Sequence, residues 1–384
     1  MRMTNDGPVI FSAVRVEREQ FNRDLSLVTT LASNTVVGTE TLASQLRALP
    51  RELGTPVAAM NADFFMMTGS AKGDPRGLQI WHGELVSVAT GPAAFWMDNA
   101  GKLHGEHVRS KLTVSWPGGG TNLVGLNEEM STNAMVLFTP TMGVLYPGTN
   151  ARSSTARSGV TRTTSSQNVT GANNPMDLPK GGPIRQPGGR EWILERSGGG
   201  PWLPLLVGQV SNARVVGSTD GFANVPNRSM ILSFNSNTLE KLGPLTNGTR
   251  VTISVGTEPD LSGIQHALGT GPMLVRAGKQ HEVSARMSEQ QHPRAAIGWN
   301  EKYLFLAVSD GRRKGISEGI RLSEMADFMI ALGCDEAINM DGGQSTTLMV
   351  NGEIVNAQTP GGKHEVANGV AILRAPSGDE DVDK

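Results

Sequence analysis

The chain has 384 residues, and its 34 Lys and Arg against 36 Asp and Glu give a formal net charge of -2. This balance provides no field that would draw nucleic acid or an anionic membrane surface to the protein. The 47 glycines, 21 prolines and charged fraction of 18% indicate many turns and short strands. The single cysteine, Cys334, excludes an internal disulfide and is expected to be a small buried thiol.

The amino terminus, MRMTNDGPVIF, lacks the apolar segment of a signal peptide, and no apolar run reaches the roughly 18 residues of a membrane span. Two interpretations stay open: the protein is cytoplasmic, or a leader has been removed.

The middle of the chain shows the weakest periodicity. Residues 147–175 consist largely of Gly, Ser, Thr, Asn and Arg, and a second Gly/Pro-rich stretch, 180–204, surrounds the short apolar EWILE. These patterns predict long surface loops, a loop-rich insertion at about 147–204. Arg152, Arg157 and Arg162 are interpreted as solvated side chains of this insertion. The final residues, 376–384, predict an acidic disordered tail.

Cofactor motifs are scarce. The sequence contains no GxxxxGK[ST] and no strand-linked GxGxxG, so it predicts no nucleotide cofactor. His104 and His107 are spaced like a ligand pair, but no neighbouring residue completes a metal site. We therefore predict no cofactor, while a structural or catalytic divalent metal stays open.

The last third of the chain begins with a predicted hairpin. RAAIGW (294–299) and YLFLAV (303–308) are strand-like runs separated by NEK. A register in which Trp299 faces Tyr303 places Arg294 opposite Val308. Arg294 is then expected close to Asp310, which follows the second strand.

A helix and a further strand follow. RLSEMADFMIALG has apolar residues at 322, 325, 329 and 332, with Ser323 as the expected cap and Gly333 as the terminator. EAINM (336–340) then predicts a strand. Strand, helix and strand form a βαβ unit with parallel strands and a right-handed crossover. The predicted fold class is α/β: a mixed, β-rich sheet with flanking helices, in one large domain at 8–375.

Two acidic residues follow the predicted parallel strands. Asp310 and Asp341 are the first carboxylates after them, at the edge where open α/β sheets place their ligands. Together with Arg294 they are expected to converge into a site. Behind them, TTLMV and EIVNA are joined by Asn351-Gly352 and predict a second hairpin.

Six segments of the chain carry motifs of a known family. They are VAAMNADFF (57–65), GTGPMLVRAGK (269–279), HPRAAIGW (292–299), LAVSDGR (306–312), SEGIRLSEMADFMIALGCDEAINMDGGQSTTLMVNG (317–352) and VANG (366–369). Together they resemble the phosphodiester glycosidase family. The resemblance extends more weakly through the N-terminal part, is loosest at 147–204, and implies one catalytic domain.

The resemblance implies a hydrolase that cleaves the bond between the anomeric carbon and phosphate of a sugar-1-phosphodiester, although some relatives act on other glycosides. Many relatives are bacterial exopolysaccharide-associated proteins, which implies a secreted, periplasmic or cell-surface location. Carried over by motif, the catalytic candidates are Asp341, Asp310, Arg294 and Glu318. The substrate-binding candidates are Asn61, Asp63, His292, Gly342, Gly343, Gln344, Ser345, Thr346, His364 and Asn368.

Three positions depart from the family pattern. Gln344 stands where a third glycine is usual, His364 replaces an arginine before VAN, and Ala62 replaces a glycine after Asn61. All three adjoin the expected pocket, so substrate identity is less determined than the fold.

The chemistry follows from the residue types. Carboxylates stabilise an oxocarbenium ion and divide nucleophile or base work from acid work, and an arginine presents a bidentate fork to phosphate. We hypothesise that Asp341 or Asp310 is the nucleophile or base and that Arg294 holds the phosphoryl group. Backbone N–H groups of the Gly342-Gly343 turn are expected to approach the anion.

Two other functions stay open: hydrolysis of an ordinary O-glycoside on the same fold, and non-catalytic binding of exopolysaccharide or cell wall. In each case the expected partner is a carbohydrate or sugar-phosphate, and the oligomeric state is undetermined.

Overall fold

The structure is a computed structural model that describes residues 2–4, 7–21, 23–69, 71–128, 135–143, 190–198, 202, 204–219, 225–234, 245–282 and 290–376. Strands dominate this part of the chain, in agreement with the predicted β-rich composition. Two α-helices lie wholly within it, Leu42–Arg47 and Leu322–Ala331. Neither they nor any other helix of the described residues is long and apolar enough to cross a membrane.

Sheet I carries most of the predicted last-third elements. Its six strands, in spatial order, are Lys279–Gln280, Met273–Arg276, Glu336–Met340, Arg294–Trp299, Tyr303–Ser309 and Phe11–Glu17. Glu336–Met340 and Tyr303–Ser309 both run antiparallel to Arg294–Trp299, which lies between them. They therefore share one direction, and Asp310, Asp341 and the start of the arginine strand lie at the same edge. The right-handedness of their connection stays a prediction.

The register of the first hairpin differs by one residue from the prediction. Trp299 pairs with Leu304, and Arg294 pairs with Ser309. The N–H of Asn300 donates to the carbonyl of Tyr303 at 3.0 Å, so Asn300 extends the ladder. Its side-chain Oδ1 also accepts from the N–H of Tyr303 at 2.8 Å. Asn300 thus shortens the expected three-residue connection to a two-residue turn.

The helix Leu322–Ala331 covers one face of sheet I through Leu322, Met325 and Met329, which are buried together with Cys334. The prediction of Ser323 as its cap is wrong, because Ser323 lies inside the helix. The first turn is closed instead by the carboxylate of Glu324, which accepts from the N–H of Arg321 at 2.8 Å. At the other end Gly333 has a φ of 89°, as a terminating glycine requires.

Sheet II has five strands, in the spatial order Glu353–Ile354, Leu348–Val350, Thr55–Asn61, Asn368–Arg374 and Leu25–Leu31. Its first two strands form the predicted hairpin, with Asn351 and Gly352 at φ values of 49° and 85°. The helix Leu42–Arg47 packs on one face. The other face shares an apolar core with sheet I, to which Met60, Val370, Ile297 and Ile338 contribute. The two sheets are thus layers of one sandwich, and their neighbouring edges bring two sets of turns together.

Sheet III has five strands, in the order Leu103–Glu106, Ala93–Met97, Ala267–Thr270, Gln79–Trp81 and Glu84–Ser87. Alternate residues bury in different cores: Phe95 and Leu268 join the core of sheets I and II, whereas Trp96 and Ala267 face sheet IV. Sheet III therefore lies between the sandwich and sheet IV.

Sheet IV corrects one prediction for the middle of the chain. Its eight strands are Gly120–Leu123, Thr113–Trp116, Arg250–Ser254, Val210–Thr219, Arg190–Arg196, Ser229–Phe234, Met135–Phe138 and Gly125–Leu126. The apolar EWILE is thus part of an interior strand of a sheet and not of a surface loop, because Trp192 and Leu194 bury in the core. Residues 147–189, with Arg152, Arg157 and Arg162, and the tail 377–384 lie outside the described residues.

Three two-stranded ladders complete the described strands. They are Arg2–Thr4 with Gly7–Val9, Arg109–Ser110 with Thr257–Glu258, and Glu40–Thr41 with Glu365–Val366.

Gly269 in sheet III and Gly77, two residues before the strand Gln79–Trp81, form a close backbone contact. A Cβ on Gly269 would lie 2.3 Å from the Cα of Gly77, so substitution forces the two backbones apart. We expect Gly269→Ala to lower the free energy of unfolding by roughly 2–3 kcal/mol through overpacking.

The matched control is Gly217→Ala in the strand Val210–Thr219, where a Cβ meets nothing within 4 Å. Urea unfolding of both variants measures the difference. Equal stability of the two variants contradicts the contact.

Candidate active site

One buried amide joins the ends of sheets I and II. Asn61, which ends its strand and is 0% exposed, donates from Nδ2 to the carbonyl of Asp341 at 2.7 Å. Its Oδ1 accepts from the N–H of Thr347 at 3.0 Å. The N–H of Asp341 in turn donates to the carbonyl of Ala62 at 2.8 Å. The turn that carries Asp341 is therefore fixed against the segment that carries Asp63.

Asp63 is held with its carboxyl group buried. The residue is 4% exposed, and its Oδ2 accepts from the N–H of Gly77 at 2.7 Å. Burial raises the pKa of Asp63 to about 7, and the charge of Asp341 adds to the increase. The bond from Gly77 and the charge of Arg76 oppose it. At neutral pH the carboxyl group is thus close to half protonated, which suits a proton donor.

Asp341 follows the strand Glu336–Met340 directly and is partly exposed. Burial raises its pKa to about 6, while hydrogen bonds from the Ser345 side chain and the Gly342 N–H, and the charge of Arg76, counteract this. These contacts favour the ionised form. Asp341 and Asp63 thus interact as a pair of carboxyl groups whose environments differ, and such pairs divide acid from base work.

Arg76 was missed by the sequence reasoning. Its positive charge lowers the pKa of both Asp63 and Asp341, and its side chain is exposed. The N–H of Arg76 donates to the carbonyl of Phe64 at 2.8 Å, which fixes the residue beside Asp63 in space. Because Arg76 lies thirteen positions after Asp63 in the sequence, only the folded structure shows their proximity.

A relay of buried amides supports the backbone of Asp63. The N–H of Asp63 donates to Oδ1 of Asn368 at 2.8 Å, and Nδ2 of Asn368 donates to Oε1 of Gln79 at 2.8 Å. Nε2 of Gln79 then donates to the hydroxyl of Thr29 at 3.1 Å. Asn368 and Gln79 are both 0% exposed. Asn368 thus lies buried behind Asp63 and holds its backbone in place.

Arg294 lies at the predicted edge, but its guanidinium group is largely engaged. The residue is 9% exposed, its Nε donates to the carbonyl of Ile320 at 3.1 Å, and one Nη donates to the carbonyl of Gln290 at 2.9 Å. Burial, with the charge of Arg312, lowers the pKa of Arg294 to about 10, so it stays charged at neutral pH. It supplies a fixed positive charge below the surface.

Arg312 is the exposed guanidinium of this region. A Cβ on Gly343 would lie 3.2 Å from its Nη2, so the guanidinium lies beside the Gly342-Gly343 turn. The same Nη2 lies 3.3 Å from Nδ1 of His292, and burial with the charges of Arg294 and Arg312 lowers the pKa of His292. Arg312 also has a φ of 60°, a conformation that non-glycine residues adopt rarely and often at functional sites. The motif SDGR contains it, but sequence spacing gave no reason to separate it from Arg294.

The N–H groups of the Gly342-Gly343 turn are not available to an anion as expected. The N–H of Gly342 bonds the carboxylate of Asp341, and the N–H of Gly343 donates to the carbonyl of Pro293 at 2.9 Å. The lack of a side chain has another reason here: a Cβ on Gly342 would lie 2.6 Å from the Pro293 oxygen. The missing side chain at Gly342 lets its backbone lie against the backbone of Pro293.

Asp310 and Glu318 lie on the other side of the arginine strand. Oδ1 of Asp310, which is 3% exposed, accepts from the N–H of Ala357 at 3.1 Å. Burial raises its pKa, and the bond from Ala357 and the charge of Arg313 oppose this. Glu318 accepts from the N–H of Gly315 at 2.7 Å. Both carboxylates thus hold neighbouring loops, and the electrostatic partner of Asp341 is Asp63.

The remaining candidates surround the turn. Ser345 and Thr346 are buried, whereas Gln344 is exposed. Nδ1 of His364 lies 2.8 Å from the carbonyl of Gln344 and donates to it, which ties two loops together. Gln344, Ser345 and His364 line a cavity of about 260 Å³, and the side chain of Ser345 also hydrogen-bonds Asp341.

No group of three or more His, Cys, Asp or Glu side chains within the described residues could hold a metal ion. Nε2 of His104 lies 2.8 Å from the carboxylate of Asp98, and the imidazole ring stacks on Trp96. These two contacts hold the ring of His104 against the neighbouring strand.

Comparison with known proteins gives a family match for the second half of the chain. Residues 207–373 match the model of the phosphodiester glycosidase family. Over these residues the match confirms the resemblance that the motifs carry. No curated protein matches the chain in sequence.

Two solved structures share the fold at low sequence identity. A hypothetical protein from Synechocystis superposes with a TM-score of 0.69 at 17% identity, over 96% of this chain and 60% of that one. The chain thus spans less than two thirds of that protein. A Burkholderia pseudomallei protein named as a "putative exported protein" gives a TM-score of 0.66 at 18% identity, over 96% and 74% of the two chains. The catalytic domain of zebrafish N-acetylglucosamine-1-phosphodiester alpha-N-acetylglucosaminidase gives 0.42 at 11% identity, over 96% and 85%.

The raised pKa of Asp63 has a consequence for stability. Between the unfolded pKa of about 4 and the folded pKa of about 7, the folded state binds the additional proton, so stability falls as pH rises. Asparagine does not titrate and its amide oxygen can still accept from Gly77. We therefore expect Asp63→Asn to be more stable than the native protein at neutral pH, by roughly 2–4 kcal/mol.

Urea unfolding of both proteins near pH 4.5 and pH 7.5 checks this, because the difference should grow with pH. Asp260→Asn serves as the control, since hydrogen bonds from Ser262 lower the pKa of this exposed carboxyl group. A difference that is independent of pH rules out the buried titration.

Proposed function

We propose that this protein is a glycosidase that hydrolyses the glycosyl–phosphate bond of a sugar-1-phosphodiester, releasing free sugar and a phosphomonoester. One observation carries the proposal: an interacting pair of carboxyl groups, Asp63 and Asp341, lies beside a turn that also contacts the exposed guanidinium of Arg312. The carboxyl groups suit the sugar half of the substrate and the guanidinium suits the phosphate half.

Asp341 acts as the nucleophile or general base. It is the more exposed member of the pair, has the lower pKa, and accepts hydrogen bonds that favour its ionised form. Asp63, with its pKa of about 7, is the proton donor available to a leaving group that needs one. This assignment changes the hypothesis from the sequence, which paired Asp341 with Asp310.

Arg312 holds the phosphoryl group at the surface, and the charge of the buried Arg294 stabilises the same phosphoryl group. The contacts of Arg294 with Ile320 and Gln290 occupy two of its N–H groups, whereas Arg312 is exposed. A phosphomonoester leaves as a stable anion, so two positive charges assist its departure more than a proton does.

The test is release of sugar from UDP-sugars and methyl sugar-1-phosphates. We expect Asp341→Asn to lower kcat by roughly 10²–10⁴-fold with the fold intact, the usual range for loss of a catalytic carboxylate. Asp260→Asn, at the surface, is the matched control. Full turnover by Asp341→Asn overturns the role of Asp341, and absence of turnover by the native protein on every phosphodiester overturns the proposed reaction.

Hydrolysis of an ordinary O-glycoside is the second candidate, and the raised pKa of Asp63 favours it, because an alcohol leaving group needs a proton donor. The pH dependence of kcat/KM separates the two reactions. Activity should rise through pH about 6 as Asp341 ionises, since its pKa lies there. Above pH about 7 hydrolysis of an O-glycoside should slow as Asp63 deprotonates. Hydrolysis of the glycosyl–phosphate bond should keep most of its activity there, because its leaving group needs no proton.

The two arginines give a further prediction. Arg312→Ala should lower kcat/KM for a sugar-1-phosphodiester by roughly 10–100-fold, the effect of losing a hydrogen-bonded charge, and should affect a neutral aryl glycoside much less. Arg228→Ala, a change of another described arginine outside the site, controls for loss of surface charge. Equal effects of Arg312→Ala on charged and neutral substrates contradict contact with phosphate.

The cellular location of the protein is part of the same proposal. The motifs of the family and the name of the Burkholderia relative support export from the cytoplasm. A carbohydrate-binding protein without activity stays the alternative if sugars bind and none is cleaved.

A further inference from the structure

A separate cavity adjoins the proposed catalytic centre. Its volume is about 260 Å³, and its wall includes Ser345, whose side chain hydrogen-bonds Asp341. Cavities that hold drug-sized ligands measure about 300–1,000 Å³, so this one has room for a single ring or a phosphate-bearing fragment. Ser345 thus connects this cavity to Asp341.

The charges on the cavity wall are unequal. Two lysines, Lys72 and Lys363, line it together with His364, and the single acidic residue is Glu365. The carboxylate of Glu365 already accepts from the hydroxyl of Thr39 at 3.1 Å. In the described part of the chain neither lysine forms an ion pair with Glu365 or with any other residue. The wall therefore presents two exposed ammonium groups that have no ion-pair partner among the described residues.

The wall also has apolar members. Phe65 is 5% exposed and packs into the structure, whereas Met67 is 61% exposed. A large exposed methionine next to uncompensated ammonium groups fits a ligand that has both an apolar face and a negative charge. A neutral sugar would leave the lysines without partners.

We propose that this cavity is the subsite for the leaving group, and that the leaving group carries a second negative charge beyond the scissile phosphodiester, next to a ring. The preferred substrate class is then a sugar linked through phosphate to an anionic, ring-bearing aglycone, such as a nucleotide or a phosphorylated sugar. This inference rests on the proposed function for the position of the bond that is cleaved, while the charge and shape of the cavity are independent of it.

The geometry also separates this subsite from the arginines. Arg312 contacts the turn at Gly343, whereas the cavity lies at Gln344 and Ser345, the next residues along the chain. The two positive groups thus serve two different anionic positions of one extended substrate.

The experiment compares two substrates, a UDP-sugar with an anionic aglycone and a methyl sugar-1-phosphate with a neutral one. The ratio is kcat/KM for the UDP-sugar divided by kcat/KM for the methyl sugar-1-phosphate. In the double variant Lys72→Met/Lys363→Met this ratio should fall about tenfold, the effect of about 1.4 kcal/mol of lost charge interaction. Methionine keeps most of the side-chain volume. Lys279→Met, which removes an exposed lysine on sheet I, is the matched control and should leave the ratio unchanged.

A binding measurement keeps the two proposals distinguishable. Uridine monophosphate titrated into the native protein and the double variant by calorimetry should show about tenfold weaker binding to the variant, with stronger salt dependence in the native protein. An unchanged ratio together with unchanged nucleotide binding overturns the subsite while methyl sugar-1-phosphate turnover still supports the proposed function. Lysine-dependent nucleotide binding without turnover of any phosphodiester supports the subsite and overturns the proposed function.

Discussion

The candidate site depends on the two hydrogen bonds of the Asn61 side chain. This amide lies between sheets I and II, donates to the carbonyl of Asp341 and accepts from the N–H of Thr347. Each of these backbone groups would be left without a buried partner if the amide were removed, at a cost of about 1–3 kcal/mol. Asn61 was predicted as a substrate-binding residue, and the structure shows that it is fully buried and fixes the position of Asp341. The geometry of the candidate site thus depends on the contact between the two sheets.

Strands with continuous apolar sequence were predictable, and their partners were less so. RAAIGW and EAINM occupy the strands Arg294–Trp299 and Glu336–Met340 because both faces of sheet I are covered, one by the helix Leu322–Ala331 and the other by sheet II. The hairpin register failed by one residue because Asn300 adds a pair to the ladder, which spacing alone does not reveal. EWILE was mistaken for part of a loop because its neighbours are Gly/Pro-rich, and spacing did not reveal its pairing with Val210–Thr219 and Ser229–Phe234.

The motifs identified most residues of the site, but their roles came from contacts. Asp310 and Asp63 are both acidic residues that follow strands, and the sequence offered no means of deciding which one faces Asp341. The fold decides it, since the turn after Glu336–Met340 bonds to Ala62 and not to the loop after Tyr303–Ser309. Likewise Arg294 and Arg312 occur in adjacent motifs, and only burial distinguishes the fixed charge from the exposed one. Arg76 enters the site through a loop whose path no local pattern encodes.

The contact between Gly342 and the Pro293 carbonyl has a consequence for how such a site can diverge. No side chain fits at Gly342 without moving the arginine strand, so change there would disturb Arg294 and Asp341 together. Two residues further on, Gln344 is exposed and lines the lysine-containing cavity, so it is free to vary in size and polarity. Replacement there changes the shape and polarity of the cavity while the turn that fixes Asp341 stays as it is.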